Sequence, residues 1–202
     1  MFKKELDKVK YKEIYEYIDK LYNEMNLNKK VRVNIINSKY MAGLAHGTRS
    51  IDLTKPLIDI YNKSPYVVKL VIAHELVHIK YKDDSLKRAW WTFILTKKAR
   101  VNILMQESRA DIEGAYFSKL SHDEISKTHM IQKQYNEQTS VSHKEFKYGY
   151  ASRERRSQYC NKFNCLNITA IDEIIEDFCR ALRIGNIEKY KRIGKRYATV
   201  KI

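Results

Sequence analysis

The stretch SPYVVKLVIAHELVHIKYK, residues 64–82, decides how the rest of the chain is read. Ser64 offers a helix N-cap, and Pro65 suits the first helical position, where a missing N–H costs nothing. Beyond them VVKLVIA is apolar on all sides and holds no breaker, so the spacing predicts a buried helix that ends near Asp83. HELVH then sets His74 and His78 four residues apart, one turn along a single face. Two imidazoles so placed can share one ion. Glu75 is rotated by one residue, so its carboxylate can reach a water on that ion without itself binding the metal. Zinc lowers the pKa of bound water toward about 7, and a neighbouring carboxylate can carry the proton to a leaving amine. That is the chemistry behind the H-E-x-x-H pattern.

A catalytic zinc usually takes three protein ligands and keeps one position open. Glu107, in ESRADIEGA (residues 107–115), is the candidate for the third. On a helix Asp111 lies one turn beyond it and faces the same way, where it can accept the outer ring proton of a ligand histidine. Ala110 and Gly114 are small and would let that helix approach the HELVH helix closely. Asp83 and Asp84 are rival ligands, but they follow the helix so soon that a turn or a cap suits them better.

These residues carry a resemblance. HELVH followed by ESRADIEGA is similar to the HExxH…ExxAD pattern of gluzincin metallopeptidases, as in the CAAX-prenyl and heat-shock membrane protease family. AGLAHGTRSIDLTKPLIDIY (residues 42–61) resembles the edge strand of those enzymes and the lead-in to their active helix, so the likeness spans about residues 40–118. YASRERRSQY (residues 150–159) is similar to a later family segment ending in an arginine. The chain differs in showing no counterpart of the family's transmembrane helices. It also resembles minimal Spartan-like zincins, although KDDSLKRAWW stands where those carry a third histidine, and the compact zincins found beside mobile-element repressors. The resemblance implies a peptide or protein substrate that pairs with an edge strand at residues 41–45 or 49–53. It further implies an oxyanion donor, for which His143, Tyr148, Tyr150 and Arg156 are candidates, with His122 and His129 as lone histidines.

Working outward, residues 10–25 carry Ile14, Ile18, Leu21, Tyr22 and Met25 at helical spacing. Residues 31–37 alternate as a strand with Val31, Val33 and Ile35 on one side, and residues 41–54 read as a hairpin around Gly43 and Gly47. Helices are expected at residues 86–95, capped by Asp84 or Ser85, at 101–120, at 152–163, and at 170–184 with Thr169 as cap. Residues 121–146 are polar and give no clear period, and the basic end reads as a short helix or a frayed tail. The expected fold is α+β and zincin-like, rich in helix. It is a single domain over residues 1–202, with a small, mostly antiparallel sheet packed on the active-site helix.

The 202 residues include no apolar run of membrane-spanning length, and the N-terminus has no signal-like segment. Three cysteines, Cys160, Cys165 and Cys179, cannot all pair and suit reduced thiols in a cytoplasmic protein. The net charge of +15 is spread along the chain rather than gathered in a block. Fifteen tyrosines interleave with the lysines, a combination that could stack on bases. An alternative function is therefore a nucleic-acid-associated protein on a zincin scaffold, or a protease acting on DNA-bound proteins. If the charge is a solvated face, duplex DNA binding is weak and is lost by about 0.2 M salt, as fluorescence anisotropy would record. Tight, sequence-selective binding at that salt would favour the nucleic-acid reading instead.

Overall fold

The structure is a computed structural model and describes residues 3–28, 30–83, 96–138 and 145–199. Strand β1 (Lys3–Glu5) leads into helix α1 (Lys12–Glu24), which turns Ile14, Ile18, Leu21 and Tyr22 inward as the spacing requires. Strands β2 (Arg32–Ile36), β3 (Gly43–His46) and β4 (Ser50–Thr54) follow, then a short helix α2 (Lys55–Asp59) and the long α3 (Pro65–Lys80). Five further helices and a closing turn complete the described residues. They are α4 (Lys97–Ser118), α5 (His122–Gln138), α6 (Arg153–Lys162), α7 (Ile168–Ala181) and α8 (Ile187–Gly194), ending in a 3-10 turn at Lys195–Tyr197. The fold is α+β and helix-rich. The helix expected at residues 86–95 lies outside the described residues.

The sheet runs β1-β2-β4-β3. The hairpin of β3 and β4 forms as expected, but β4 inserts between β3 and β2 and pairs with β2 in parallel. The sheet is therefore mixed, with two antiparallel pairings and one parallel, and β1 and β3 are its edges. Of the two candidate edge segments, only residues 43–46 lie on an edge. Residues 50–54 lie inside the sheet. On β2 the buried residues are Val33 and Ile36, with Val31 and Ile35 only partly covered.

One face of the sheet, with Val33, Ala45, Ile51 and Leu53, packs with α1 and α3 into a single cluster. On the other face Asp52 is fully buried yet held by Lys3 at 2.6 Å, His46 at 2.7 Å and Asn34 at 2.8 Å. A second cluster joins α4 to α6, α7 and α8 through Leu104, Met105, Phe146, Ile171 and Phe178. Helix α4 is buried along most of its length because it serves both clusters.

Local chemistry explains the helix starts. Thr96 caps α4 by accepting from Ala99 N at 3.1 Å, and Ser152 caps α6 through Arg155 N. Helix α7 begins at Asn167 rather than Thr169, since the Asn167 side chain accepts from Ala170 N at 2.9 Å. Helix α5, which the polar stretch concealed, opens on a capping box. The Glu124 carboxylate accepts from Ser121 N, and Ser121 Oγ accepts from Glu124 N. Among the described residues no helix is long and apolar enough to cross a membrane.

Helix α3 is clamped between two surfaces that lack a side chain. A Cβ placed on Gly43 of β3 would stand 2.7 Å from Val71 Cγ1 and 2.9 Å from Glu75 Cγ. A Cβ on Gly114 of α4 would stand 2.9 Å from His74 N and 3.0 Å from His74 Cα. Backbone cannot swing aside as a flexible side-chain tip can. Gly114→Val is therefore expected to lower the unfolding free energy by about 2–3 kcal/mol, through overpacking that the better helix propensity does not offset. Gly185→Ala, where no atom lies within 4 Å, serves as the control and should fall within about 0.5 kcal/mol of wild type. Urea unfolding of the two variants checks both values.

Candidate metal centre and cleft

The HELVH segment lies wholly within α3, so His74 and His78 share one face and Glu75 is turned by one residue toward β3. Each ring is fixed from behind. His74 Nδ1–H donates to Asp111 Oδ1 at 2.9 Å, and His78 Nδ1–H donates to Asp83 Oδ2 at 2.9 Å. With both Nδ1 atoms so engaged, the two Nε2 atoms turn inward and face each other at 3.1 Å. Glu107 completes a triangle, one carboxylate oxygen 3.6 Å from His74 Nε2 and the other 3.5 Å from His78 Nε2. Ligands about 2.0–2.1 Å from a tetrahedral metal sit about 3.3 Å from one another, so these edges fit one ion. Among the described residues this is the one group of His, Cys, Asp and Glu with that geometry.

The charges are organised as a chain. Arg156 grips Asp111 with two bonds, Nε to Oδ2 and Nη2 to Oδ1, both at 2.6 Å. Burial alone would raise Asp111, but the Arg156 guanidinium and the His74 ring outweigh it and hold the carboxyl well below the usual carboxylate range. Burial would likewise pull the His74 imidazole down, yet Asp111 and Glu107 together lift it to about 9. A cation arriving between the rings would displace that proton.

Asp83 lies in the turn that ends α3, as expected, and its side chain also bonds His78. Helix α3 ends in a Schellman arrangement, with Lys82 in the left-handed region at φ 54°, Lys82 N–H donating to Ile79 O and Asp83 N–H to His78 O. This reversal returns the Asp83 side chain onto the ring of His78, and Arg109 Nη2 holds its other oxygen at 2.7 Å. Asp83 thus stands behind His78 as Asp111 stands behind His74, outside the His74, His78 and Glu107 group. Arg109 in turn lies over the Tyr81 ring, 3.8 Å from its centroid. Asp84 lies outside the described residues.

The centre opens into a cleft of about 310 Å³. Ala42, Gly43 and Leu44 form one wall, and α5 and α6 form the other. Glu75 leans toward the strand, where its Oε2 accepts from Ala45 N–H at 2.7 Å. Antiparallel pairing alternates along β3, so the backbone groups of Gly43 point the same way as that N–H, away from β4. Of the candidate oxyanion donors, Tyr150 and Arg156 line the cleft, Tyr148 is not among the lining residues, and His143 lies outside the described residues. Of the two lone histidines, His129 is buried in the cleft wall and His122 is exposed at the start of α5. Sequence reasoning did not single out Asp83 as a support, nor Gln132 and Arg153, which also line the cleft. The capping box at Ser121 was the signal that could have revealed α5, and with it Gln132.

Glu107→Ala removes one corner of the triangle and is expected to strip most of the zinc from protein dialysed against a weak chelator. Asp83→Asn and Asp111→Asn keep all three ligand atoms and should weaken zinc about 10–100-fold in a competition titration. Full zinc in Glu107→Ala would remove Glu107 from the ligand set.

In comparisons with known proteins the chain matches no family model, no curated protein and no solved structure.

Proposed function

We propose that this chain is a zinc-dependent metallopeptidase of the gluzincin type, with a zincin-like fold and a peptide or protein as substrate. The observation that carries the reading is the convergence of His74 Nε2, His78 Nε2 and the Glu107 carboxylate on one point in an open cleft, beside a further carboxylate, Glu75. Two imidazoles and one carboxylate suit zinc among the common divalent ions. When bound, zinc supplies Lewis acidity, drawing the pKa of water toward about 7 and polarising the carbonyl to be attacked.

The protein's own groups do the rest. Glu75 takes the proton from the attacking water and returns it to the leaving amine. Its bond from Ala45 N–H keeps the carboxylate on the β3 side of the cleft, next to where an extended peptide would lie. The edge of β3, where the backbone groups of Gly43 face away from β4, offers a place for such a strand, and Leu44, partly exposed there, offers apolar contact. Tyr150 is the candidate to donate to the developing oxyanion. Arg156 has its two bonds on Asp111, so its first duty is to hold the Asp111–His74 pair.

Glu75→Gln tests the reading. The amide oxygen can still accept from Ala45 N–H, so fold and zinc content should persist. Peptide hydrolysis should fall at least about 100-fold, because the general base is gone. A zinc-loaded Glu75→Gln protein that cleaves a peptide library as fast as wild type would overturn the mechanism.

A further inference from the structure

The wall facing β3 carries charge that the peptidase chemistry does not use. Helix α5 presents His129 and Gln132 to the cleft, and α6 presents Arg153 and Arg156, each pair one turn apart. The two arginines are not equivalent. Arg156 is neutralised by its two-pronged pairing with Asp111 and lies 3.9 Å from Glu107. Arg153 donates through Nη1 to the neutral oxygen of Gln132 at 2.8 Å. Among the described residues no carboxylate comes within the 4.0 Å of an ion pair with Arg153.

The Arg153 guanidinium is partly buried, bonds a neutral amide, and feels Asp111 and Glu107 only from beyond ion-pair distance, so a carboxylate brought to bonding distance would complete it. Burial, with Arg156 beside it, pushes the Arg153 pKa down to about 9, which still leaves it charged at neutral pH. The neighbouring His129 is also incomplete, because its buried Nδ1 has no hydrogen-bond partner in the structure. The formal charges along the cleft point the same way. Glu75, Glu107 and Asp111 stand against Arg153 and Arg156, so a divalent ion at the triangle would leave the loaded cleft positive by one.

We infer that this wall is a carboxylate-binding subsite, in which Arg153, oriented by Gln132, receives a carboxylate of the bound peptide. The inference rests on the peptidase reading and names its substrate class. The carboxylate is the side chain of an Asp or Glu, or the peptide's C-terminal group. Either matches the planar fork of a guanidinium. One helical turn separates Arg153 from Arg156, which reaches Glu107, so the acidic group falls within about two residues of the scissile bond.

The first arm of the test uses metal-free protein, so that no carboxylate can bind through zinc. N-acetyl-glutamate methylamide, its glutamine counterpart, N-acetyl-alanine and inorganic phosphate are titrated while the Arg153 side-chain signal is followed by NMR. The glutamate compound or N-acetyl-alanine should bind at least about tenfold more tightly than the glutamine compound, and the stronger of the two identifies the side-chain or the terminal source. Arg153→Gln should erase that discrimination and Arg153→Lys should retain part of it. Equal binding of acid and amide, discrimination that survives Arg153→Gln, or phosphate binding above both carboxylates would overturn the subsite. If Arg153→Gln does not fold, a shift of the wild-type Arg153 signal by acid and not by amide still supports the inference, and its absence overturns it. The second arm scores zinc-loaded protein on a peptide library. Cleavage without any preference for a nearby carboxylate refutes the subsite alone, whereas carboxylate binding without cleavage refutes the peptidase reading and leaves the subsite standing.

Discussion

The close approach of α3 and α4 is the constraint on which everything else in the molecule depends. Glu107 and Asp111 can serve the two histidines only if the helix axes come nearer than ordinary side chains allow. Gly114 permits that approach, because the space a Cβ would need is filled by the backbone of His74. Residues 107, 111 and 114 recur at four and three, so the carboxylates and the contact glycine share one face of α4. Gly43 does the equivalent on the opposite side of α3, bringing β3 against Val71 and Glu75. The helix bearing the chemistry is thus positioned from both flanks by backbone, which sets the distances more tightly than interlocking rotamers would.

Such closeness concentrates ionisable groups where water is scarce, and the structure answers each with a specific partner. Asp111 is held by Arg156, Asp83 by Arg109, and Glu75 by a backbone N–H. A buried carboxylate without such a partner would cost several kcal/mol. The partners also fix chemistry, because an Asp behind each ring leaves the Nε2 side of each histidine as the one that faces a cation. Arg109 adds a further layer by lying over Tyr81, whose hydroxyl donates to the buried Glu113 at 2.8 Å. The support of His78 therefore reaches into the core through four side chains, Asp83, Arg109, Tyr81 and Glu113.

Legibility in the sequence follows the range of the interactions. The HELVH helix, and Glu107 with Asp111 at four residues, are local patterns, and their spacing alone predicts a shared face. Residue size likewise announced the packing role of Ala110 and Gly114. Asp83 was hidden because its part depends on a helix end closed by Lys82 at a positive φ, where glycine would have flagged the turn. Strand β1 was hidden because Lys3 to Glu5 carry only charge, and one of those charges balances the buried Asp52. The insertion of β4 between β2 and β3, and the meeting of Gln132 with Arg153, are long-range facts that no local period encodes.

The excess of positive charge takes on a different meaning beside this geometry. Much of the tyrosine and lysine interleaving is used within the chain, with Lys69 over Tyr17, Lys119 over Tyr116 and Lys80 over Tyr81. Other lysines pair one turn along their own helix, as Lys55 does with Asp59 and Lys127 with Asp123. These contacts leave the charges on the surface, where their summed field attracts anions at range but is screened within about 10 Å at ordinary salt. The cleft obeys a different balance, since its lining sets Glu75, Glu107 and Asp111 against Arg153, Arg156 and the His74 ring within a confined space. Long-range attraction and short-range acceptance of an acidic chain are therefore separate properties, the first spread over the surface lysines and the second local to the wall that carries Arg153 and Gln132.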